Sequence, residues 1–299
     1  MEPTGVVSAI VTPFSSDGEE VEWGVLRALV DQGVHDGLGG FVPCGGTGEF
    51  ATLSSDVRRG VVETVCEQSG GRAAVIAQVG ATSTREAVAH ARHAESAGAD
   101  AIMLATPYYE PIAFAQVLDY YRDIAEATAL PICVYNFAPA MGVSWDEQML
   151  EQLVHEIDTV RLIKDSSGDF AFLDRLVSSP LNLDVFCGED ILAAPALLAG
   201  CRGLINGGAN FLAPAMVAMH KAAQTHDVAT VNDVAIRMTP LLREVIAGPY
   251  IGMVKAVLGL LGFDVGPVRA PYPSVSDEQR ATLGKLVAAT DANLLSWRQ

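Results

Sequence analysis

Short, continuously apolar runs rich in β-branched residues alternate along the chain with longer stretches whose apolar positions recur at helical spacing. The strand-like runs are Val6–Val11, Gly40–Cys44, Ala74–Val79, Ala101–Ala105, Ile132–Tyr135, Val160–Lys164, Asp184–Cys187 and Gly203–Asn206. Continuous apolarity, without alternation, marks strands covered on both faces, as in a parallel sheet. Strands separated by helical stretches read as repeated βα units. Ser83–Glu86 and Ser144–Glu147 have capping-box spacing, and Ser54-Ser55-Asp56 opens a further helix with an acid in its first turn. Eight such units within residues 1–225 predict a (β/α)8 TIM barrel; an open doubly wound sheet is the competing arrangement.

Beyond about Phe211 the strand pattern stops. Helical stretches follow at Pro214–Thr225, Asp227–Ala247, Pro249–Leu261 and Ser276–Ser296, the last opened by Ser276–Gln279 at capping-box spacing. Residues 1–225 are thus expected to form the barrel, and residues 226–299 a C-terminal helical extension packed on it. The proline-rich stretch Gly262–Pro273 reads as a loop inside that extension.

Composition narrows the function. Half of the 299 residues are hydrophobic and 18% are charged, enough to bury a large core. A balance of 36 acidic against 19 basic residues, net −17, repels nucleic-acid phosphates and anionic membranes. Five dispersed cysteines (Cys44, Cys66, Cys133, Cys187, Cys201) without a CxxC pair suit a reducing compartment. The opening residues lack the pattern of a secretory signal, and no apolar run approaches the roughly 18 residues that span a bilayer. A soluble cytoplasmic protein is expected.

Barrel enzymes place their chemistry at the C-terminal ends of the strands. Those ends carry Thr12-Pro13, Gly45-Gly46-Thr47-Gly48-Glu49, Gly80, Thr106-Pro107-Tyr108-Tyr109, Tyr135-Asn136, Lys164-Asp165-Ser166-Ser167, Gly188-Glu189-Asp190 and Asn206-Gly207-Gly208. Of the four lysines, Lys221, Lys255 and Lys285 fall in helical stretches, where a solvated face accounts for them. Lys164 alone ends a strand. Burial there disfavours the ammonium, and a neutral amine makes imines with carbonyl substrates. Position leaves a second role open, an ion pair with Asp165 or Glu189. Tyr135 is either a proton relay or an ordinary buried tyrosine. The glycine-rich loop around Gly46 and Thr47 either presents donors to an anion or makes a tight turn, and Glu49 is equally a first-turn helix residue. The six histidines lie in or beside helices. His90 and His93 share a face without a nearby carboxylate ligand and read as solvated, so no metal is expected. No Ser–His or Cys–His set can be assembled at strand ends, and Cys44 and Cys187 read as small buried hydrophobes.

Taken in order, these pieces resemble the dihydrodipicolinate synthase/N-acetylneuraminate lyase family of class I, pyruvate-type lyases. The likeness covers nearly the whole chain. It runs from Gly5-Val-Val-Ser-Ala-Ile-Val-Thr-Pro-Phe14 through Gly45-Gly-Thr-Gly-Glu49, Thr106-Pro-Tyr-Tyr109, Tyr135-Asn136 and Ile163-Lys-Asp-Ser-Ser-Gly168. Gly188-Glu-Asp190, Gly203-Leu-Ile205, Val254-Lys-Ala-Val-Leu258 and Val268-Arg-Ala-Pro271 complete it. The resemblance implies that Lys164 forms a Schiff base and Tyr135 donates and accepts protons. It implies that Gly46 and Thr47 bind the keto-acid carboxylate and that Ile205 lines the pyruvate end. It also implies that Tyr109 reaches a neighbouring subunit's site, so a homo-oligomer, a dimer or tetramer, is expected.

The chain departs from the family's pattern in three places. Gly46 stands where a threonine or serine is usual. Phe137-Ala-Pro-Ala-Met-Gly142 lacks the arginine with which dihydrodipicolinate synthases hold the aldehyde's carboxylate. The tyrosine motif, Tyr135-Asn-Phe-Ala-Pro139, is one residue longer than usual. The loop form Gly-Gly-Thr-Gly-Glu-Phe is similar to that of keto-deoxy-sugar-acid dehydratases, although their arginine after Tyr-Asn is absent too. The expected activity is therefore that of an aldolase or dehydratase on pyruvate or a 2-keto-3-deoxy sugar acid, with no cofactor. The alternatives are 4-hydroxy-tetrahydrodipicolinate (dihydrodipicolinate) synthesis from pyruvate and aspartate semialdehyde, or a catalytically silent barrel used for binding.

Overall fold

The computed structural model describes residues 1–110 and 112–297. Eight parallel strands close into a barrel in chain order: β1 (Gly5–Ser8), β2 (Gly40–Phe41), β3 (Ala74–Gln78), β4 (Ala101–Leu104), β5 (Ile132–Asn136), β6 (Val160–Asp165), β7 (Asp184–Cys187) and β8 (Gly203–Asn206). Around it lie α1 (Trp23–His35), α2 (Ser55–Ser69), α3 (Thr84–Ser96), α4 (Phe114–Ala125), a short α5 (Ala138–Met141), α6 (Glu147–Glu156), α7 (Phe170–Val177), α8 (Ala193–Ala199) and α9 (Ala213–Gln224). The chain continues through α10 (Val228–Ala247), α11 (Tyr250–Leu260) and α12 (Asp277–Ala289). This is the (β/α)8 architecture, and the open-sheet alternative is excluded by the pairing of β1 with β8.

That seam is tight. Gly5 to Ser8 align with Gly203 to Asn206, and a Cβ on Gly203 would stand 1.9 Å from the Gly5 carbonyl oxygen. Only a residue without a side chain lets the two backbones meet. Two cores result. Val7, Val42, Ile76, Met103, Leu162 and Phe186 fill the barrel's interior. A larger apolar layer lies between strands and helices and runs without a break into α10 and α11. Helix α10 packs on α8, α9, α11 and α12.

Element ends depart from the sequence pattern in a few places. β2 stops at Phe41 because Pro43 has no N–H for a ladder and Cys44 turns left-handed (φ 56°). The last helix ends at Ala289 and is followed by a single 3-10 turn, Ala292–Leu294. The helix start expected near Pro111 lies outside the described residues, and α4 begins at Phe114. Ser83, Ser54 and Ser276 each accept a hydrogen bond from a first-turn backbone N–H, and Ser276 with Gln279 forms a complete capping box. Ser144 caps nothing: α6 is capped by Asp146, whose side chain accepts from Met149 N at 2.8 Å.

The capping assignment has a measurable consequence. Asp146→Ala should lower unfolding free energy by about 1 kcal/mol, and exposed Ser144→Ala by less than about 0.5 kcal/mol. Urea denaturation midpoints of the two variants check this; the reverse order would contradict it.

Candidate active site

Side chains two apart on a strand share a face, so Leu162 in the interior core carries Lys164 with it. Parallel register sets Tyr135 of β5 beside Lys164 of β6, and Lys164 beside Phe186 of β7. Lys164 is 6% exposed, and its Nζ lies 4.4 Å from the centre of the Tyr135 ring. Tyr135, 7% exposed, is also stacked on Phe137 with ring centres 6.0 Å apart. Ile205, fully buried on β8, joins Tyr135 and Phe186 in the same interior cluster. Room for the lysine comes from Gly188: a Cβ there would stand 1.9 Å from Ser166 Oγ and 2.9 Å from Lys164 Cε.

The ion pair left open for Lys164 is not formed. Asp165, next along the strand, faces the other way. Its carboxylate accepts from Asn136 Nδ2 at 2.6 Å and Ser167 Oγ at 3.0 Å. Burial still pushes its acid up, against those two bonds. The Glu189 carboxyl is likewise raised by burial and by Asp190, while Lys164 pulls it down. Asp190 accepts from Tyr250 Oη at 2.5 Å and from Gly208 N at 3.0 Å. Among the described residues, Lys164 Nζ has neither an ion pair nor a hydrogen bond.

The Gly45–Gly48 loop follows β2 at the same end of the barrel. Gly46 is exposed with open space where a Cβ would go, and Thr47 is 9% exposed. The loop is bounded by two left-handed non-glycine residues, Cys44 (φ 56°) and Glu49 (φ 59°). Such conformations persist only where the surroundings enforce them. Thr12 Oγ1 donates to Gly48 O at 2.8 Å, and Glu49 N to Gly46 O at 3.0 Å. Tyr109, by contrast, is 83% exposed and not assembled with the others; Tyr108 packs edge-on against Phe50 at 5.9 Å.

Three sequence readings need correction. Lys255 is not on a solvated face: it is 4% exposed, and its Nζ meets Glu49 Oε1 at 2.6 Å. Burial lowers its pKa to about 8, with Glu49 opposing. The signal was present, since Lys255 is the lone charge in an otherwise wholly apolar helix. Glu49, read as equally a first-turn helix residue, precedes a single 3-10 turn (Phe50–Thr52) and is a buried, paired carboxylate. His90 is buried too, its Nε2 3.6 Å from Glu86, and burial with Arg58 lowers it to about 4; His93 meets Glu63 at 2.8 Å. Among the described residues, no group of three or more His, Cys, Asp or Glu is placed to hold a metal ion. Cys44 and Cys187 are fully buried, and burial raises the Cys44 thiol to about 11.

A family model described as the dihydrodipicolinate synthetase family matches residues 2–290. The chain belongs to that family. An uncharacterized DapA-like lyase of Halobacterium salinarum is 38% identical over 282 residues, covering 93% of this chain and 91% of the relative. A 4-hydroxy-tetrahydrodipicolinate synthase of Methanothrix thermoacetophila is 36% identical over 281 residues, covering 93% and 94%. A family member from Escherichia coli K12, solved in complex with pyruvate, superposes with a TM-score of 0.90 at 26% identity, over 95% of this chain and 97% of that one. Membership makes the chain a lyase. No helix among the described residues is long and apolar enough to cross a membrane.

The crowding at Gly188 can be tested directly. Gly188→Ala should destabilise the fold by about 1–3 kcal/mol, the cost of overpacking. Adding Ser166→Ala removes the closest collision and should recover most of that loss. Equilibrium unfolding of the single and double variants decides it; an unperturbed single variant would contradict the crowding.

Proposed function

We propose that the protein is a Schiff-base lyase in which Lys164 forms an imine with C2 of a 2-keto acid. The observation that carries this reading is a buried lysine at the barrel mouth, beside Tyr135, with no ion pair to hold its charge. Lys164 Nζ attacks the C2 carbonyl, and loss of water from the carbinolamine gives the imine. The protonated imine then draws electrons from C3, allowing carbon–carbon cleavage or elimination of water further along the chain. Tyr135 moves protons at the carbinolamine, Gly46 and Thr47 hold the carboxylate, and Ile205 packs on the pyruvate end. The reaction needs no metal or organic cofactor.

For the second part of the substrate we favour a 2-keto-3-deoxy sugar acid. The space at Gly46 admits a bulkier, hydroxylated substrate. After Tyr135 no arginine occurs until Arg161, which is exposed near the start of β6, at the opposite end of the barrel. A guanidinium fork orients a carboxylate as well as attracting it, and losing a charged partner costs about 2–3 kcal/mol, roughly 30- to 150-fold. The name carried by the Methanothrix relative favours the second reading, dihydrodipicolinate synthesis. We assign the chain to the cytoplasm and divide it functionally into the barrel, 1–225, and the extension, 226–299.

Borohydride reduction with pyruvate should add one pyruvate-derived mass per chain on the peptide holding Lys164, and Lys164→Arg should abolish it. Labelling at Lys221, Lys255 or Lys285 would overturn the assignment, and no labelling at all would favour a silent barrel. Sugar acids should turn over, whereas aspartate semialdehyde with pyruvate should react poorly. A specificity constant for the latter above about 10⁴ M⁻¹s⁻¹ would promote the second reading.

Tyr109, exposed on one chain, is assigned to a neighbour's site. Light scattering should report a dimer or tetramer, and Tyr109→Ala should lower activity. A fully active monomer would contradict both.

A further inference from the structure

Helix α11 is apolar on every side and buried from Gly252 to Leu258, yet it carries two polar side chains that reach the barrel mouth. Tyr250 Oη donates to Asp190, just after β7, at 2.5 Å. Lys255 Nζ meets Glu49, just after β2, at 2.6 Å. Strands β7, β8, β1 and β2 are consecutive around the barrel, so one helix of the extension is tied to both ends of that arc.

The Glu49 end has the greater bearing on the site. Glu49 is fully buried and left-handed, and it closes the Gly45–Gly48 loop. Its second carboxylate oxygen accepts from Arg269 N at 2.8 Å. Lys255 Nζ also donates to Pro267 O at 2.8 Å and lies 4.2 Å from the Phe14 ring centre. The Arg269 guanidinium lies 4.1 Å from the same ring centre and donates to the Gly18 and Thr52 carbonyls at 2.8 and 3.4 Å. Among the described residues, both partners of the Glu49 carboxylate therefore come from the C-terminal extension. Without Lys255 a carboxylate would be left buried and short of a countercharge, and the structure would move to hydrate it. The element joined directly to Glu49 is the loop carrying Gly46 and Thr47, held to it by the hydrogen bond from Glu49 N to Gly46 O.

We propose that Lys255, acting through Glu49, is a positioning residue for the loop that binds the keto-acid carboxylate. The inference rests on the carboxylate-binding role proposed for that loop, and extends it by making substrate affinity depend on the C-terminal extension. A purely structural role for the pair would lower thermal stability and leave the folded protein's affinity for pyruvate unchanged.

The test compares the wild type, Lys255→Met and the double variant Glu49→Gln/Lys255→Met. Pyruvate affinity is measured by calorimetry, and the extent of borohydride trapping at saturating pyruvate on the same samples. Lys255→Met should weaken pyruvate binding about tenfold while trapping at saturation stays within about twofold, the pattern of lost ground-state positioning. The double variant buries no unpaired charge and should melt close to the wild type, yet bind pyruvate several-fold more weakly; it carries the comparison if Lys255→Met does not fold. Unchanged affinity in a folded variant would overturn the proposal. Wild type that binds pyruvate without an adduct on Lys164 would sink the imine reading alone, and wild type that binds no pyruvate would overturn both.

Discussion

Closing eight parallel strands into a ring is the constraint on which the rest of this molecule depends. The seam between β1 and β8 is in register over four residues and admits no side chain at Gly203. Once the ring is closed, each strand has one face inward and one toward the helices, and strands two apart sample the interior at fixed levels. The row of Tyr135, Lys164 and Phe186 across three neighbouring strands is set by that register. The mouth above it is where the C-terminal ends of all eight strands converge.

Charge is distributed around this mouth in an unequal way. Removing a carboxylate from water is costly unless donors replace the water. Asp165 is supplied by Asn136 and Ser167, Asp190 by Tyr250 and the Gly208 backbone, and Glu49 by Lys255 and Arg269. Among the described residues Lys164 is left out of these arrangements, though it too is buried, at 6% exposure. An amine so placed is free to act as a nucleophile, whereas one locked to a carboxylate is not. The satisfied carboxylates act as scaffolding, and two of the three are anchored by residues of α11 and the segment after it.

A (β/α)8 barrel hosts many chemistries, so activity has to be argued from side chains at the mouth. The informative features of this chain are local: open space at Gly46, a short helix α5 at residues 138–141 that carries no arginine, and Gly188 making room for the lysine. Gly46 and α5 bear on the proposed choice of substrate, and Gly188 on the seat of Lys164.

The sequence by itself determined the eight strands and their parallel order, though several end one to three residues from where the pattern put them, because a strand buried on both faces must be continuously apolar and its polar surroundings therefore stand out. Lys164 and Tyr135 stood out as strand-end residues for that reason, whereas Thr47 and Ile205 were singled out only through the family resemblance. Less visible was what each polar residue faces. Lys255 read as solvated because helical periodicity says nothing when a helix is apolar on all sides, and His90 read as solvated because its burial depends on packing between α2 and α3. Ser144 matched a capping spacing, but the backbone turned at Asp146. Only the tertiary structure decided that Asp165 belongs to Asn136, that Glu49 belongs to Lys255 and Arg269, and that Lys164 belongs to none. Those pairings join residues up to 220 positions apart, and they depend on how the closed ring and the returning helix bring distant segments within hydrogen-bond distance.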